Sequence, residues 1–316
     1  MRLSGFTPGV SVVIVTRNGR ERLEPTLAHL AHQEHPDVPC ELILVDNGSD
    51  DGTIDFVKRS WHDLGVPYPL RIIVESRPGT MHARTTGIHG ASYRYLVFCD
   101  DDNWLAPDYL RMAVARIQVH EAIAAVGGIG VPVYASGTTI PAWFPTVVRY
   151  FGCGPQGAAD GDVTRTKGCL YTAGTAIDRR WLDRLYASGF QSKLTGRDGR
   201  SLVAGEDTEL MYALRKLGAQ LHYCSKMQFR HFIPSYRTTW AYVKRLYRAM
   251  GYSDYLLRSR RWTVVIALRD SILTPLLLVK YGLRAARSRY GKGNMDTLTV
   301  HRLLGQLSAV WASRIA

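Results

Sequence analysis

Three consecutive carboxylates, Asp100-Asp101-Asp102, stand directly after the apolar run Tyr95–Cys99 (YLVFC) in a chain of 316 residues. Charges this close repel one another and lose hydration together unless a cation neutralises them. Hard oxygen donors at that density suit Mg2+ or Mn2+, shared with the phosphates of a substrate. A solvated turn whose last carboxylates cap the following helix uses the same residues, so the triplet alone leaves both readings open. Two further polar clusters close β-branched or aliphatic runs: Thr16-Arg17-Asn18 after VSVVIVT and Asp46-Asn47 after ELILV.

Other candidates lie further along. Glu206-Asp207 stands at the start of an amphipathic pattern, where acidic residues complement the helix dipole. A carboxylate general base beside a crevice has the same appearance. His231 follows a short apolar run and reads as a structural residue or as a metal ligand. Arg84 reads as a phosphate contact or a helix-surface cation. The segment 140–156 carries Pro141, Trp143, Phe144, Tyr150 and Phe151, the makings of either a substrate subsite or a satellite hydrophobic cluster.

The elements that must hold these residues alternate. Strands are predicted over Val10–Thr16, Glu41–Val45, Leu70–Val74, Tyr95–Cys99 and Ala124–Val133. Helices are predicted between them, over Arg20–His32, Thr53–Trp61, Met81–Ser92 and Pro107–Glu121. Such alternation implies an α/β fold with a mostly parallel sheet flanked by helices. In such sheets ligands bind at the carboxyl ends of strands, where the polar clusters fall. Beyond residue 135 the pattern predicts a strand over Gly168–Ile177, a helix over Trp181–Ser188, a helix over Thr208–Leu217 and a short strand over Gln220–Cys224. A helix over Thr238–Leu257 and an apolar stretch, Trp262–Tyr281, close the pattern.

Composition narrows the function. The chain carries 40 Lys and Arg against 27 Asp and Glu, a net charge of +13. The first 229 residues are balanced, so the excess belongs to the last 87. A neutral body with a cationic tail excludes a uniformly basic nucleic-acid binder. Five scattered cysteines without a CxxC pair exclude a disulfide framework and a zinc ribbon. The absence of GxGxxG and of GxxxxGK[ST] leaves a dinucleotide fold and a P-loop unsupported. No signal peptide is legible and no stretch reaches the ~20 apolar residues of a membrane span, so a cytoplasmic setting is expected.

The segments VSVVIVTRN, ELILVDNGSDDGT, RPGTMHARTTGIHGA, YLVFCDDDN and GEDTELMYALRKLG occur in that order. Together they resemble the family 2 glycosyltransferases, inverting enzymes with a GT-A fold, over about residues 10–235. The resemblance implies a catalytic domain over 1–235, with a nucleotide-sugar half to about 135 and an acceptor half beyond. A helical basic extension follows over 236–316. It implies that Thr16, Arg17, Asp46, Arg84, Asp100 and Asp101 bind a nucleotide-sugar donor, with Thr85 standing where the family carries Asn. Asp102 and His231 would hold Mn2+ or Mg2+. Asp207 would be the general base; from position alone, Glu206, Trp143 and Gly174 are expected on the acceptor side. The implied reaction is hexosyl transfer from a nucleotide diphosphate sugar to a hydroxyl of a glycan or lipid-linked acceptor, as in polysaccharide biosynthesis. A sugar-phosphate nucleotidyltransferase shares the acidic metal ligands but lacks support from a Gly-rich basic loop near the first strand. A non-catalytic carbohydrate- or nucleic-acid-binding module is the remaining alternative.

The tail has its own chemistry. Aromatic residues from Trp240 to Tyr255 interleave with Lys244, Arg245 and Arg248, and Arg284, Arg287, Arg289 and Lys292 follow the apolar stretch. Apolar surface flanked by cations is what an interfacial helix on an anionic membrane requires, so the chain is expected to be peripheral on the cytoplasmic face. A helical extension packed on the body, or one that pairs with a second copy, has the same composition.

Overall fold

The structure, a computed structural model, describes residues 6–34, 37–197, 202–258, 263–287 and 292–315. In chain order the first half runs β1 (Thr7–Thr16), α1 (Arg20–Ala31), β2 (Cys40–Asp46), α2 (Thr53–Asp63), β3 (Leu70–Val74) and α3 (Thr80–Gly90). It continues through β4 (Tyr93–Asp100), β5 (Asn103–Leu105), α4 (Tyr109–Ile117) and β6 (Ile123–Tyr134). The second half runs β7 (Gly161–Asp162), β8 (Ala176–Asp178), α5 (Arg179–Ala187), α6 (Glu206–Lys216), β9 (Gln220–Ile233), α7 (Trp240–Arg258), α8 (Thr263–Arg287) and α9 (Met295–Ile315).

Among the described residues the strands form one sheet in the order β3-β2-β1-β4-β8-β6-β9-β5, with β7 paired to β9. Strands β3, β2, β1 and β4 run parallel, and β8 joins β4 antiparallel. The central strands are largely apolar because helices cover both faces, and the buried Ser11 of β1 and Glu41 of β2 pair with each other at 2.7 Å. Val10, Val12 and Ile14 of β1 join α1, α2 and α4 in one core, while Val13 joins α3, α5 and α6 in the other. That split is the two-residue pleat of a strand. Edge strand β3 is half-exposed, with Val74 open to solvent.

The register fixes where the polar clusters emerge. Thr16 pairs with Asp46, and Val15 with Asp100, so three parallel strands end at one level. The Asn47 N–H donates to the Thr16 carbonyl (2.8 Å) and the Glu75 N–H to the Asp46 carbonyl (2.9 Å), carrying the ladder one step past the strand ends.

Two expected strands differ. Only Ala176–Asp178 of the predicted Gly168–Ile177 strand is extended. Gly168 and Gly174 have φ of +74° and +69°, and the Thr175 N–H turns back to the Thr172 carbonyl. The predicted strand Gln220–Cys224 instead runs to Ile233, so His231 lies within a strand. Helix α6 starts at Glu206, which puts Glu206 and Asp207 in its first turn. The polar start and alternating end of these segments explain both differences: MQFRHFI alternates buried and outward residues at period 2.

The chain divides into two compact units. One comprises Met1–Val133, Val148–Ser192 and Leu210–Phe232; the other comprises Tyr134–Val147, Lys193–Glu209 and Ile233–Ala316. The second unit takes in two earlier loops because their apolar residues find cover there. Trp143 packs edge-on against Trp240 with ring centroids 4.9 Å apart, and Gly205 lies against Ser253 and Leu257. Within this unit α7 and α9 cross closely, and Arg302 binds Asp254 at 2.6 Å. A Cβ on Gly305 would stand 1.8 Å from the Arg248 carbonyl oxygen, so only glycine admits that crossing. Helix α8 continues through Pro275. Trp262 and Arg289 lie outside the described residues.

Candidate active site

The carboxyl ends of β1, β2 and β4 meet loops that are cross-braced by side chains. Asn18, with φ of 51°, receives the Asp50 N–H on its Oδ1, and its own N–H donates to Ser49 Oγ. The Gly19 N–H donates to Thr53 Oγ1. Asn47 donates through Nδ2 to the Glu75 and Arg77 carbonyls, both at 2.8 Å, and accepts the Gly79 N–H. The Asn47 bonds tie the Arg77-Pro78-Gly79 turn to the end of β2 and set the start of α3. Glu75 braces that turn from below by accepting from Arg77 and Thr86. Those bonds hold the Glu75 carboxyl well below the usual carboxylate range.

The three aspartates diverge. Asp100 keeps its side chain 36% exposed, beside the buried Arg84 of α3 at 3.6 Å. Asp101 points back into the protein. Arg22 of α1 grips it through Nε (3.2 Å) and a terminal nitrogen (2.7 Å), and Thr16 donates to it at 2.7 Å. Burial pushes the Asp101 carboxyl up against the pull of Arg22, and the adjacent Asp102 charge adds to the rise. Asp102 is buried, and its Oδ1 lies 3.6 Å from His231 Nε2.

The last contact comes from strand register. Strand β5 pairs antiparallel with β9, setting Asn103 opposite His231, and the Phe232 N–H donates to the Asp102 carbonyl at 2.9 Å. Asn103 is fully buried; its Nδ2 donates to Asp102 Oδ1 and its Oδ1 accepts the Asp100 N–H. One amide thus ties the Asp102 carboxylate to the Asp100 backbone. The separation of 3.6 Å exceeds hydrogen-bond length, and His231 Nδ1 is buried without a hydrogen bond. Asp46 shows a similar vacancy of bonding: Oδ2 accepts the Ser49 N–H, while Oδ1 is buried without a partner.

These donors suit a divalent cation of the kind that completes its shell on a substrate. One carboxylate and one imidazole converge at Asp102 and His231. Among the described residues no group of three or more His, Cys, Asp or Glu is placed to hold an ion by itself. Mg2+ and Mn2+ sites built from one or two protein ligands plus substrate phosphates have that character.

The remaining expected residues are placed as follows. Arg17 is exposed on the loop after β1. Asp207 belongs to the second unit, half-buried in the first turn of α6, where its Oδ1 accepts the Thr208 N–H at 2.7 Å. Glu206 is buried beside it in sequence, and Glu209 of the same turn accepts the N–H groups of Lys193 and Leu194. Trp143 sits in the aromatic cluster with Phe144 and Trp240. Gly174 is buried, and a Cβ there would stand 2.5 Å from the Tyr109 hydroxyl and 2.9 Å from Phe229. Its carbonyl accepts that hydroxyl. Arg22 and Asn103, which brace Asp101 and Asp102, stand outside the expected residues.

Comparison with known proteins adds the following. The profile described as Glycosyl transferase family 2 matches residues 11–185. Glycosyltransferase AglE of Haloferax volcanii is 32% identical over 117 residues, 36% of this chain and 37% of that protein. Poly(ribitol-phosphate) beta-N-acetylglucosaminyltransferase TarS of Staphylococcus aureus is 27% identical over 128 residues, 39% of this chain and 22% of that protein. The match thus spans well under half the length of these relatives. Among solved structures, the mannosyltransferase PcManGT of Pyrobaculum calidifontis, in complex with GDP-Man and Mn2+, superposes with a TM-score of 0.63 at 19% identity. That superposition covers 97% of this chain and 88% of that one. S. aureus TarS 1–349 in complex with UDP gives a TM-score of 0.53 at 15% identity, over 97% and 91%. At such identities the structural likeness shows the fold.

Proposed function

The chain belongs to glycosyl transferase family 2, and from that premise we propose that it transfers a sugar from a nucleotide diphosphate sugar to a hydroxyl of a glycan or lipid-linked acceptor, with inversion at the anomeric carbon. The observation that carries this reading is the convergence of Asp102 and His231 at the carboxyl end of β4, through the pairing of β5 with β9. Support for a nucleotide donor comes from structural neighbours solved with UDP and with GDP-Man.

The donor's base and ribose are assigned to the ends of β1 and β2. There the unpartnered Asp46 Oδ1 accepts from a base N–H or a ribose hydroxyl, since a buried acceptor left unmade is costly. Arg17 lies on the same loop. Asp102 and His231 would hold Mn2+ or Mg2+, which supplies charge neutralisation for the departing diphosphate. Arg84 is buried with Asp100 as its neighbour, and it adds a fixed positive charge near the donor phosphates. Asp100 is left to accept from a ribose or sugar hydroxyl. Asp101 and Thr16 serve by position, anchoring the strand end to α1 through Arg22.

The acceptor hydroxyl is a weak nucleophile at neutral pH. Asp207 takes its proton as the oxygen attacks the face opposite the leaving group, which inverts the centre. Glu206 and Trp143 are assigned to the acceptor side. The family assignment favours this reading over nucleotidyl transfer or a non-catalytic module. Calorimetric titration with UDP and GDP, with and without Mn2+, tests the donor assignment. Metal-enhanced binding of one diphosphate is expected, and equal, weak, metal-independent binding of both contradicts it.

A further inference from the structure

Helix α8 turns an apolar stripe outward. Ile272, Leu276, Val279 and Leu283 recur at i, i+4, i+7 and i+11, the spacing that stacks side chains on one helix face. They are between 54% and 63% exposed, while Thr274, on the opposite face, is buried. Leu273 and Leu277, also exposed, widen the stripe on one side. Single exposed apolar residues are ordinary, but a continuous row along three turns marks a contact surface.

Charge selects what that surface meets. By helical register Arg269, Lys280 and Arg287 fall along the same edge as Leu273 and Leu277, and all three are exposed. Arg284 shares the edge and reaches Asp296 of α9 at 3.3 Å. Across α8 four cations, Arg269, Lys280, Arg284 and Arg287, stand against a single acidic residue, Asp270. A second copy laid on this face would bring two such cationic helices together. An anionic lipid surface offers phosphates for the cations and acyl chains for the stripe. Among the described residues no helix is long and apolar enough to cross a membrane. The long apolar face with a cationic border instead has the form of a helix lying in the interface plane.

We propose that this face of α8 lies in the plane of an anionic membrane, with Ile272, Leu276, Val279 and Leu283 among the acyl chains and Arg269, Lys280 and Arg287 at the headgroup phosphates. The proposal goes beyond glycosyl transfer and does not rest on it. Its test is co-sedimentation of the full chain with vesicles of phosphatidylcholine alone or mixed equally with phosphatidylglycerol. Binding to the mixed vesicles is expected to exceed binding to the neutral ones by about tenfold or more at low salt, and to fall as salt screens the cations. The variant Ile272→Ser/Leu276→Ser/Val279→Ser removes exposed groups only, and far-UV dichroism with a urea midpoint verifies its fold. It is expected to lose binding to both vesicle types. The variant Lys280→Glu/Arg287→Glu is expected to lose the anionic preference. Wild-type protein that ignores both vesicle types overturns the proposal, as does a serine variant that binds like wild type. Light scattering that shows a wild-type dimer and a monomeric serine variant, with vesicle binding unchanged, makes the stripe an interface between copies and also overturns it.

Discussion

Arg22 clasps Asp101 through two nitrogens, and Asp101 is the middle of three consecutive aspartates. The pairing separates the triplet by role: the central carboxylate is a tie between β4 and α1, and its neighbours are left to the rim. Arg22→Ala leaves a buried carboxylate with only Thr16 as a side-chain donor. Losing a charge-assisted hydrogen-bonded partner costs about 2 kcal/mol. A urea midpoint lowered by that energy divided by the m-value is expected. An unchanged midpoint shows that the clasp contributes nothing.

Asp102 is expected to behave differently. Asp102→Ala removes a carboxylate whose charge raises Asp101 but also the acceptor of the buried Asn103 amide, so the stability of the nucleotide-free protein is expected to change little. What it should lose is the gain in nucleotide affinity that Mn2+ brings, and His231→Ala should share that loss. Thermal melting without ligand and calorimetry with ligand separate the two effects. Retained metal enhancement in both variants removes the cation from this site.

How far the site was legible in the sequence follows from the range of each interaction. The strand ends carrying Thr16, Asp46 and Asp100 were readable because a buried parallel strand is a local apolar run with a local polar stop. The role of Arg22 was not, since its partner lies 79 positions away and helical spacing says nothing of it. His231 was placed after a strand that ended too early. The alternation from Met227 to Ile233 was present, but the charged and polar outward residues masked it. The strand Asn103–Leu105 is too short for any periodicity, yet its pairing with β9 is what joins Asp102 to His231. Gly174 shows the same limit: a glycine demanded by φ of +69° and by Tyr109 looks the same in sequence as one at a ligand.

Gly174→Ala separates a packing role from an acceptor-side one. The new Cβ combines a left-handed backbone with a close approach to the Tyr109 hydroxyl and the Phe229 ring. Strain and overpacking of this kind cost about 2–4 kcal/mol together. The expected result is a lower melting temperature with the nucleotide affinity of the folded protein unchanged. A stable variant with weakened acceptor use assigns Gly174 to the acceptor side.

Glu75 sets a pH dependence. Its carboxyl is held well below its unfolded value of about 4.3 by Arg77 and then Thr86. A depressed folded pKa contributes stability that is complete above the unfolded value and is lost as pH falls through the folded one. Glu75→Gln is therefore expected to destabilise the protein at neutral pH and to flatten the decline below pH ~4. Urea midpoints across the acid range read this directly. Parallel curves for the two proteins exclude Glu75 as a source of the slope.

Asp207→Asn isolates the chemical step. The amide keeps the size of the side chain and an oxygen for the Thr208 N–H, so the first turn of α6 is preserved. It cannot accept the acceptor's proton. Turnover is expected to fall by about 10²–10⁴-fold, the usual contribution of a positioned base. The affinity for the donor diphosphate, which is assigned to strand ends in the other unit, is expected to stay within twofold (roughly 0.4 kcal/mol) of wild type. A loss confined to turnover identifies an interaction made in the transition state. Near-normal turnover moves the base to another residue, and a parallel loss of nucleotide affinity makes Asp207 part of the donor site instead.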